Sequence, residues 1–454
     1  MKKVGMLSLG CAKNLVDSEV MLGELAREGY ALTNEADDAE IVIVNTCGFI
    51  ESAKEESISA ILDMAELKKQ GKVKKLVVSG CLSQRYHTEL AQDLPEVDLF
   101  LGINHVGGIQ KFLTDLRGTS GDVVNREPTE AEDWRPDFLY NSEHPRVLTT
   151  PKFCAYVKIS EGCDHVCSFC IIPKLRGKHR SRTIEDIVAE VRRLGDAGVR
   201  EINLVAQDST YYGRDLGLKD GLAQLMEAIA EVETIDWVRA HYMYPYQVTD
   251  RLLKLMAEHP KVCKYMDIPL QHADKHVLAA MKRGSGRPQL AKFLDRIREA
   301  VPDVWIRTSF IVGFPGEDER AFEELCAFVT EQEFDFIGVF TYSHEEDTTA
   351  YPLDDSISKE EKERRKAHLL ALQKEISKKK LARHIGKTFD VLIEGVHPET
   401  ELLLRGRHQG QAPEVDGEVL ITEGFYQPGD IVPITIEETF DYDLAGRATG
   451  GVAV

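Results

Sequence analysis

The sequence predicts an α/β protein in three parts: an N-terminal doubly wound α/β domain, a central open (β/α)6 barrel and a small C-terminal all-β barrel. Apolar strands alternate with helices in the first 118 residues, and six more strand–helix units follow between residues 151 and 349. After Ile385 the strand patterns continue without helices. We place the domains at 1–118, 151–376 and 377–450, with a linker at 119–150.

The first domain is predicted from three short apolar runs, of which the second is continuous and β-branched, as is typical of buried parallel strands. The first two runs are followed by helical segments that end at Gly29 and near Gly71. The predicted strands are Val4–Leu9, Ile41–Val44 and Leu76–Ser79, and the predicted helices are Asn14–Arg27 and Glu51–Lys69.

A cysteine directly follows each of these strands: Cys11 in MLSLGCAKN, Cys47 in IVIVNTC and Cys81 in LVVSGC. Taken alone, Cys11 could be a small buried residue, half of a disulfide, a lipoprotein attachment site or a ligand. The apolar stretch before it is too short for a signal sequence, and disulfides are rare in the cytoplasm, where we expect this protein. Because the carboxyl ends of parallel strands meet at one sheet edge, we expect the three thiols to converge there.

The central domain is predicted from six strands with helices between them, after a polar, turn-rich stretch at 119–150 that reads as a linker or an irregular insertion. Function in such a barrel lies at the carboxyl ends of its strands. A charged helix at 359–384 then leads to the all-β segment. The predicted strands are Ala155–Ile159, Glu201–Val205, Trp237–His241, Tyr265–Ile268, Val304–Val312 and Phe336–Phe340, with helices such as Ile184–Ala197 and Leu222–Val232.

The motif with the most specific chemistry is EGCDHVCSFC, which contains Cys163, Cys167 and Cys170. A zinc site with further ligands, or a chance match, stays open on this spacing alone. Three thiolates can also bind three irons of a [4Fe–4S] cube and leave the fourth iron open to chelate an amine and a carboxylate, such as those of S-adenosylmethionine. The motif follows the first predicted barrel strand and has an aromatic residue, Phe169, before its last cysteine.

These features together resemble the radical S-adenosylmethionine methylthiotransferases over nearly the whole chain. The resemblance implies a methylthiotransferase N-terminal domain, a radical S-adenosylmethionine core, and a C-terminal TRAM barrel that binds substrate. It also implies that S-adenosylmethionine serves both as methyl donor and as radical source, because no side-chain base could remove a proton from an unactivated carbon. Two [4Fe–4S] clusters are implied: an auxiliary cluster on Cys11, Cys47 and Cys81, and a radical cluster on Cys163, Cys167 and Cys170.

Three further residues are candidate contacts of S-adenosylmethionine. Gly313 and Gly316 lie in SFIVGFPGE, where the resemblance implies cofactor binding, although a turn that needs glycine explains them equally well. Gln207 ends a predicted strand at the barrel mouth, where a polar strand cap is the alternative. His272 has the same two readings, contact with substrate or a cap on the barrel.

Other stretches give weaker predictions. The basic run KLRGKHRSR, residues 174–182, meets either a ligand carboxylate or solvent. Cys154, Cys263 and Cys326 stand in apolar contexts and are predicted to be core residues. Asp347 stands where many members of the resembled family carry glycine, which leaves the conformation of its loop open.

Charge indicates the class of substrate. The chain has a net charge of −20, and residues 385–454 hold four Lys or Arg against thirteen Asp or Glu. Such a barrel repels a phosphate backbone and attracts a basic protein. Asp164 and the stretches AHYMYPYQVTD and KYMDIPLQHAD resemble the branch that modifies the β-carbon of an aspartate in small-subunit ribosomal protein number twelve.

We therefore expect a basic ribosomal protein as partner, a reductant such as flavodoxin or ferredoxin, no nucleic acid as direct substrate and no membrane association. One alternative is a methylthiotransferase that modifies a tRNA adenosine. A second, from another class, is a non-catalytic iron–sulfur scaffold protein, which would bind two clusters without cleaving S-adenosylmethionine.

Overall fold

A computed structural model describes residues 2–115 and 136–449. The predicted boundaries at 118 and 450, and residues 119–135 of the predicted linker, lie outside these ranges. The N-terminal elements are β1 (Lys3–Ser8), α1 (Ala12–Arg27), β2 (Ala31–Thr33), β3 (Ile41–Thr46), α2 (Glu51–Lys69), β4 (Lys75–Gly80), α3 (Cys81–Asp93), β5 (Leu99–Leu101) and α4 (Ile109–Asp115).

The five strands form a parallel sheet in the order β2-β1-β3-β4-β5. Side chains of β3 alternate between its two faces: Ile41 and Ile43 belong to the core that includes residues of α1, and Val42 and Val44 to the core that includes residues of α2. Helices on both faces confirm the doubly wound domain. The strand order reverses between β1 and β3, which is where such folds bind ligands.

The central domain has six parallel strands in two hydrogen-bonded groups, β6-β9-β10 and β11-β12-β13. A bridge between Val238 and Val262 joins the groups, and within the described residues no pairing closes β13 onto β6. This confirms the open (β/α)6 barrel. Its elements are β6 (Cys154–Lys158), β7 (Ser160–Glu161), α5 (Ile172–Arg176), β8 (Arg180–Ser181), α6 (Ile184–Asp196), β9 (Glu201–Val205), α7 (Gly221–Ala230), β10 (Trp237–Ala240), α8 (Asp250–Glu258), β11 (Tyr265–Asp267), α9 (Lys275–Ala280), α10 (Arg287–Ala300), β12 (Trp305–Val312), α11 (Glu319–Gln332) and β13 (Phe336–Thr341).

Residues 136–150 of the predicted linker are irregular but lie in contact with both neighbouring domains. Arg146 bonds Glu19 of α1 and, at 2.8 Å, Glu190 of α6. The Tyr140 hydroxyl donates to the Glu190 carboxylate at 3.1 Å and is buried. This part of the chain therefore ties the first domain to the barrel.

The C-terminal segment begins with a long helix and ends in a closed five-stranded barrel of order β14-β15-β16-β18-β17, as predicted. Its apolar core extends to barrel residues such as Trp237 and Trp305, so the two barrels share packing. Among the described helices, none combines the length and the apolar character that crossing a membrane would need. The elements are α12 (Lys359–Leu381), β14 (Thr388–His397), β15 (Thr400–His408), β16 (Val419–Ile421), β17 (Ile431–Thr439) and β18 (Leu444–Ala448).

Candidate functional site

The N-terminal triad (Cys11, Cys47 and Cys81) lies at the carboxyl edge of the first sheet, after the neighbouring strands β1, β3 and β4. The loops that carry the thiols touch: a Cβ added to Gly10 would lie 2.7 Å from the Cys47 Cβ and 3.1 Å from its Sγ. A Cβ added to Gly48 would lie 2.9 Å from the Cys81 carbonyl oxygen. All three thiols are free, and the edge therefore brings them together without a disulfide.

The pKa values of the three thiols depend on burial, on one another and on two nearby cations. Burial raises the pKa of Cys47 to about 12, and the nearby Cys81 contributes. Burial also raises the pKa of Cys81. At Cys11 burial acts in the same direction, but Lys13 and Arg176 outweigh it and lower the pKa of that thiol. Positive charge at this edge favours the thiolate, which is the form that binds metals.

The barrel triad (Cys163, Cys167 and Cys170) lies in the loop between β7 and β8, which pair as a two-residue hairpin. The Cys163 N–H donates to the Gly177 carbonyl at 3.0 Å and so closes the base of the loop. Gly162 has a φ of +78°, and a Cβ there would lie 2.1 Å from the Lys178 carbonyl oxygen, so only glycine fits.

An arginine and a stacked pair of rings surround the barrel triad. Arg283 donates from Nη1 to the Cys167 Sγ at 3.5 Å and from Nη2 to the Pro269 carbonyl at 2.6 Å. Its guanidinium lies over the Tyr244 ring, 4.2 Å from the centroid, and His165 stacks on the same ring at 4.0 Å. Burial raises the pKa of Cys163 to about 11 and that of Cys170 to about 12.

A buried ion cluster (Asp17, Lys158, Glu161 and Arg176) lies between the two triads, and each member is at most 2% exposed. Arg176 of α5 contacts Asp17 of α1 and Glu161 of β7, each at 3.1 Å. Lys158 bonds Glu161 at 2.7 Å and also bonds Asp17. Burial alone would raise the pKa of Glu161, but Arg176 and Lys158 hold it well below its usual range. Ion pairs between two cations of the barrel domain and two carboxylates, one of them from α1, therefore connect the first domain to the barrel.

Arg176 also reaches the N-terminal triad, because its Nη2 donates to the Cys81 Sγ at 3.5 Å. The loop that holds the barrel triad thus supplies a hydrogen-bond donor to the other triad. The sequence did not distinguish whether the run 174–182 contacts a ligand carboxylate or solvent. The structure divides it: Lys174 and Lys178 are exposed, whereas Arg176 and Arg182 are buried in ion pairs. No pattern in the sequence singled out Arg176.

Of the S-adenosylmethionine candidates, Gln207 donates from Nε2 to Glu161 Oε1 at 2.8 Å, and Glu161 stands two residues before Cys163. Gly313 and Gly316 follow β12 in a turn with φ of +74° and +87°. The Glu317 carboxylate accepts the backbone N–H of Gly313 and, at 3.1 Å, that of Phe314. The turn requires glycine for its own conformation, and its cofactor role stays a prediction.

His272 is fully buried, and its Nδ1 accepts the Asp274 N–H at 3.0 Å. Its Nε2 lies 3.8 Å from Glu317 Oε1. Contact with substrate and a cap on the barrel both stay predictions. Cys154 and Cys263 are buried, as predicted, and Cys326 is partly buried.

Each triad offers three thiols, the ligand type of iron–sulfur clusters, and an arginine N–H to one sulfur. Over residues 2–115 and 136–449, no three His, Cys, Asp or Glu side chains are grouped as ligands of one metal ion would be. Each cysteine ligand of a [4Fe–4S] cluster binds a different iron, so its three thiols need not be as close together as the ligands of a single metal ion. The donor sets fit such clusters.

The sequence matches three families in succession. Residues 3–102 match the "Uncharacterized protein family UPF0004", residues 157–329 match the "Radical SAM superfamily", and residues 385–449 match the "TRAM domain". Each match covers one of the three parts of the fold.

Full-length relatives are similar over nearly the whole chain. "Ribosomal protein uS12 methylthiotransferase RimO" of Koribacter versatilis is 47% identical over 98% of this chain and 96% of its own length. The protein of the same name from Myxococcus xanthus is 49% identical over 98% of this chain and 91% of its own. Among solved structures, the radical S-adenosylmethionine methyltransferase TsrM of Kitasatospora setae has a TM-score of 0.53 at 14% identity, covering 75% of each chain. That likeness shows the fold.

Proposed function

This chain belongs to the family of RimO-type ribosomal protein uS12 methylthiotransferases, and from that premise we propose that it adds a methylthio group to the β-carbon of an aspartate of ribosomal protein uS12. The observation that carries the proposal is the pair of cysteine triads in a chain 47% identical to a relative of that name over 98% of its length. The radical S-adenosylmethionine superfamily implies a [4Fe–4S] cluster and S-adenosylmethionine as cofactors.

We assign the cofactors by residue. The barrel triad binds the radical cluster, and the N-terminal triad binds a second, auxiliary [4Fe–4S] cluster. Gln207, Gly313 and Gly316 contact S-adenosylmethionine. When bound, the two clusters and S-adenosylmethionine supply a carbon radical and a sulfur group for transfer to carbon. We retain the domain boundaries 1–118, 151–376 and 377–450 as part of this proposal.

The protein's own residues position this chemistry. Arg176 and Arg283 each direct an N–H to one cysteine sulfur, at 3.5 Å in both cases, and so stabilise negative charge there. The buried ion cluster fixes the first sheet edge against the barrel mouth and keeps water out of that contact. Both triads are three-cysteine sets, which leaves one iron of each cluster free for a ligand.

The charge of the C-terminal barrel supports a basic protein as substrate. Arg407, one of its four Lys or Arg, is buried and paired with Glu201 at 2.7 Å and Glu394 at 2.6 Å. Its positive charge is therefore turned inward, but so are the negative charges of its partner Glu394 and of Asp416, whose side chain is buried and pairs with Arg307 at 2.7 Å. The exposed surface of the barrel thus keeps an acidic excess close to that of the full count. We propose cytoplasmic uS12 as partner and a small reductant such as flavodoxin or ferredoxin as electron donor.

The decisive experiment is anaerobic turnover of the iron-loaded protein with S-adenosylmethionine and a reductant, offered uS12 in one reaction and tRNA in the other. Mass analysis should find a methylthio gain on the uS12 aspartate and none on tRNA. A gain on tRNA alone would replace uS12 by a tRNA adenosine as substrate. Formation of no 5′-deoxyadenosine in either reaction would identify a scaffold protein.

A further inference from the structure

Lys13, two residues after Cys11, is a buried lysine without an acidic partner. Among the described residues three lysines are buried, Lys13, Lys158 and Lys362. A buried ammonium is costly unless a carboxylate pairs with it. Lys158 bonds carboxylates of the ion cluster, and Lys362 bonds both oxygens of Asp355 at 2.7 and 2.9 Å. Lys13 has no carboxylate oxygen of the described residues within 4.0 Å.

The contacts of Lys13 join the N-terminal triad to the barrel. Its Nζ donates to the Ala206 carbonyl at 3.2 Å, directly after β9 at the barrel mouth. The same Nζ lies 4.1 Å from the centroid of the Tyr242 ring. Lys13 is also the cation that most strongly lowers the pKa of Cys11. The ammonium thus lies where the auxiliary cluster and the barrel mouth face each other.

The ring beneath this ammonium is held by a strained backbone. Tyr242 has a φ of +57°, which an aromatic residue adopts only when its surroundings enforce it. Its N–H donates to Asp267 at 3.1 Å, and its carbonyl accepts the Ser209 N–H at 3.0 Å. Asp267 is engaged with this backbone and lies beyond 4.0 Å from the Lys13 Nζ, so it forms no ion pair with Lys13. The strained backbone thus fixes a ring beneath an ammonium that has the Cys11 sulfur nearby but no carboxylate partner among the described residues.

We infer that Lys13 binds the side-chain carboxylate of the target aspartate, with the Tyr242 ring holding the ammonium in place. The inference rests on the proposed function, in which the modified β-carbon is bonded directly to that carboxylate carbon. A carboxylate on Lys13 places the β-carbon between the N-terminal triad and the barrel mouth. Lys13 is then the residue that selects aspartate over its uncharged isostere asparagine.

The test measures binding of uS12, and of uS12 with asparagine in place of the target aspartate, to the iron-loaded protein with S-adenosylmethionine. The wild-type protein should bind the aspartate form about tenfold more tightly, as hydrogen bonds to charged groups do. Lys13→Met should reduce that preference to less than about twofold, and Lys13→Arg should keep part of it. The matched control Lys68→Gln removes an ion-paired lysine of the same domain and should leave the preference unchanged.

Two further controls separate substrate binding from a structural or cluster role. Because Lys13→Met removes a buried ammonium that has no carboxylate partner, the melting temperature of the metal-free variant should equal or exceed that of the wild type. Lys13 also favours the Cys11 thiolate, so the preference is compared between proteins loaded to the same iron content. Equal weakening for both uS12 forms, or an unaltered preference, would overturn the inference. If the wild-type protein methylthiolates uS12 but binds the aspartate and asparagine forms equally, the inference is wrong and the proposed function stands. No methylthiolation of uS12 would overturn the proposed function, and the inference with it.

Discussion

The two cysteine triads offer the same ligands but are assembled in opposite ways. The barrel triad lies within one loop, residues 163–170, whose ends are pinned by a hairpin. The N-terminal triad takes one thiol from each of three strand ends spread over residues 11–81. The first is therefore local in sequence, whereas the second exists only when the parallel sheet has formed.

The arginine donors differ in the same way. Arg283 approaches Cys167 from within the barrel domain, but Arg176 approaches Cys81 from the barrel side of a domain interface. The N-terminal triad therefore has its arginine donor only when the two domains are docked. Damage to the domain interface should therefore affect the N-terminal triad before the barrel triad.

Removing the thiols should have the largest effect. Triple replacement of the barrel triad by alanine should abolish 5′-deoxyadenosine formation and remove about half of the bound iron. Triple replacement of the N-terminal triad should remove a similar share of iron but leave S-adenosylmethionine cleavage intact. Iron content per chain and chromatography of 5′-deoxyadenosine measure both. An N-terminal triple variant that keeps its full iron would contradict the assignment.

Arg176→Gln should destabilise the protein by about 3–5 kcal/mol, because it leaves two buried carboxylates with Lys158 alone. Iron of the N-terminal triad should then exchange faster with a chelator than iron of the barrel triad. Urea unfolding of the metal-free protein and chelator kinetics of the loaded protein give the two values.

Arg283→Gln is the matched comparison, since Arg283 is also buried and also donates to a cysteine sulfur. Its contacts are a carbonyl, a sulfur and a ring, with no carboxylate among its described partners. We expect a smaller destabilisation of about 1–2 kcal/mol and faster loss of iron from the barrel triad. If the two variants lose iron from both triads at equal rates, the N-terminal triad does not depend on the domain interface more than the barrel triad does.

Much of this organisation follows from the sequence, because its causes are local. Short apolar runs predicted β1, β3 and β4, and the common edge of parallel strands predicted the convergence of Cys11, Cys47 and Cys81. The strands β2 and β5 were missed, since three residues are too few to show a pattern.

The interface residues could not be found in this way. Asp17 lies in the middle of a helix and Arg176 in a basic run, and both patterns are ordinary for solvent-exposed positions. Their burial results from the docking of two domains, which no spacing within either segment encodes. Lys13 lies in the stretch MLSLGCAKN, but only the three-dimensional structure shows that it has no carboxylate partner among the described residues.

Each triad loop contains or adjoins a glycine that an alanine could not replace without displacing the loop. Gly162→Ala places a Cβ 2.1 Å from the Lys178 carbonyl, and Gly10→Ala places one 2.7 Å from the Cys47 Cβ. Each substitution also forces alanine into a left-handed conformation, at about 1–2 kcal/mol. We expect each variant to lose iron from its own triad and to keep the iron of the other, as measured by spectroscopy of the loaded proteins.

Gly198→Ala and Gly29→Ala are the controls, because both positions are left-handed but have no atom within 4 Å of the added Cβ. They carry the same backbone strain in the barrel domain and the first domain, respectively. Iron loss in these controls equal to that in Gly162→Ala and Gly10→Ala would show that general destabilisation, and not displacement of a triad loop, is the cause.

One loop contacts both the first domain and the barrel-triad loop, and it contains Asp347, whose backbone conformation the sequence left open. Glu345 bonds Arg85 of the first domain at 2.7 Å, and the Ala350 N–H donates to the Ser168 carbonyl in the barrel-triad loop at 2.8 Å. Between them Asp347 has a φ of +64°, the conformation that glycine adopts most readily.

Substitution of Asp347 should have the smallest effect and should not distinguish the triads. Glycine removes the left-handed strain but adds freedom to the unfolded chain, and the exposed pair with Lys174 contributes little. Asp347→Gly should therefore stay within about 0.5 kcal/mol of the wild type, whereas Asp347→Ala should lose about 1 kcal/mol in urea unfolding. Because the loop contacts both sides, any change in iron retention should be equal for the two triads. Loss of iron from the barrel triad alone would mean that the loop stabilises only the Ser168 contact. The N-terminal triad would then depend on the buried ion cluster and not on this loop.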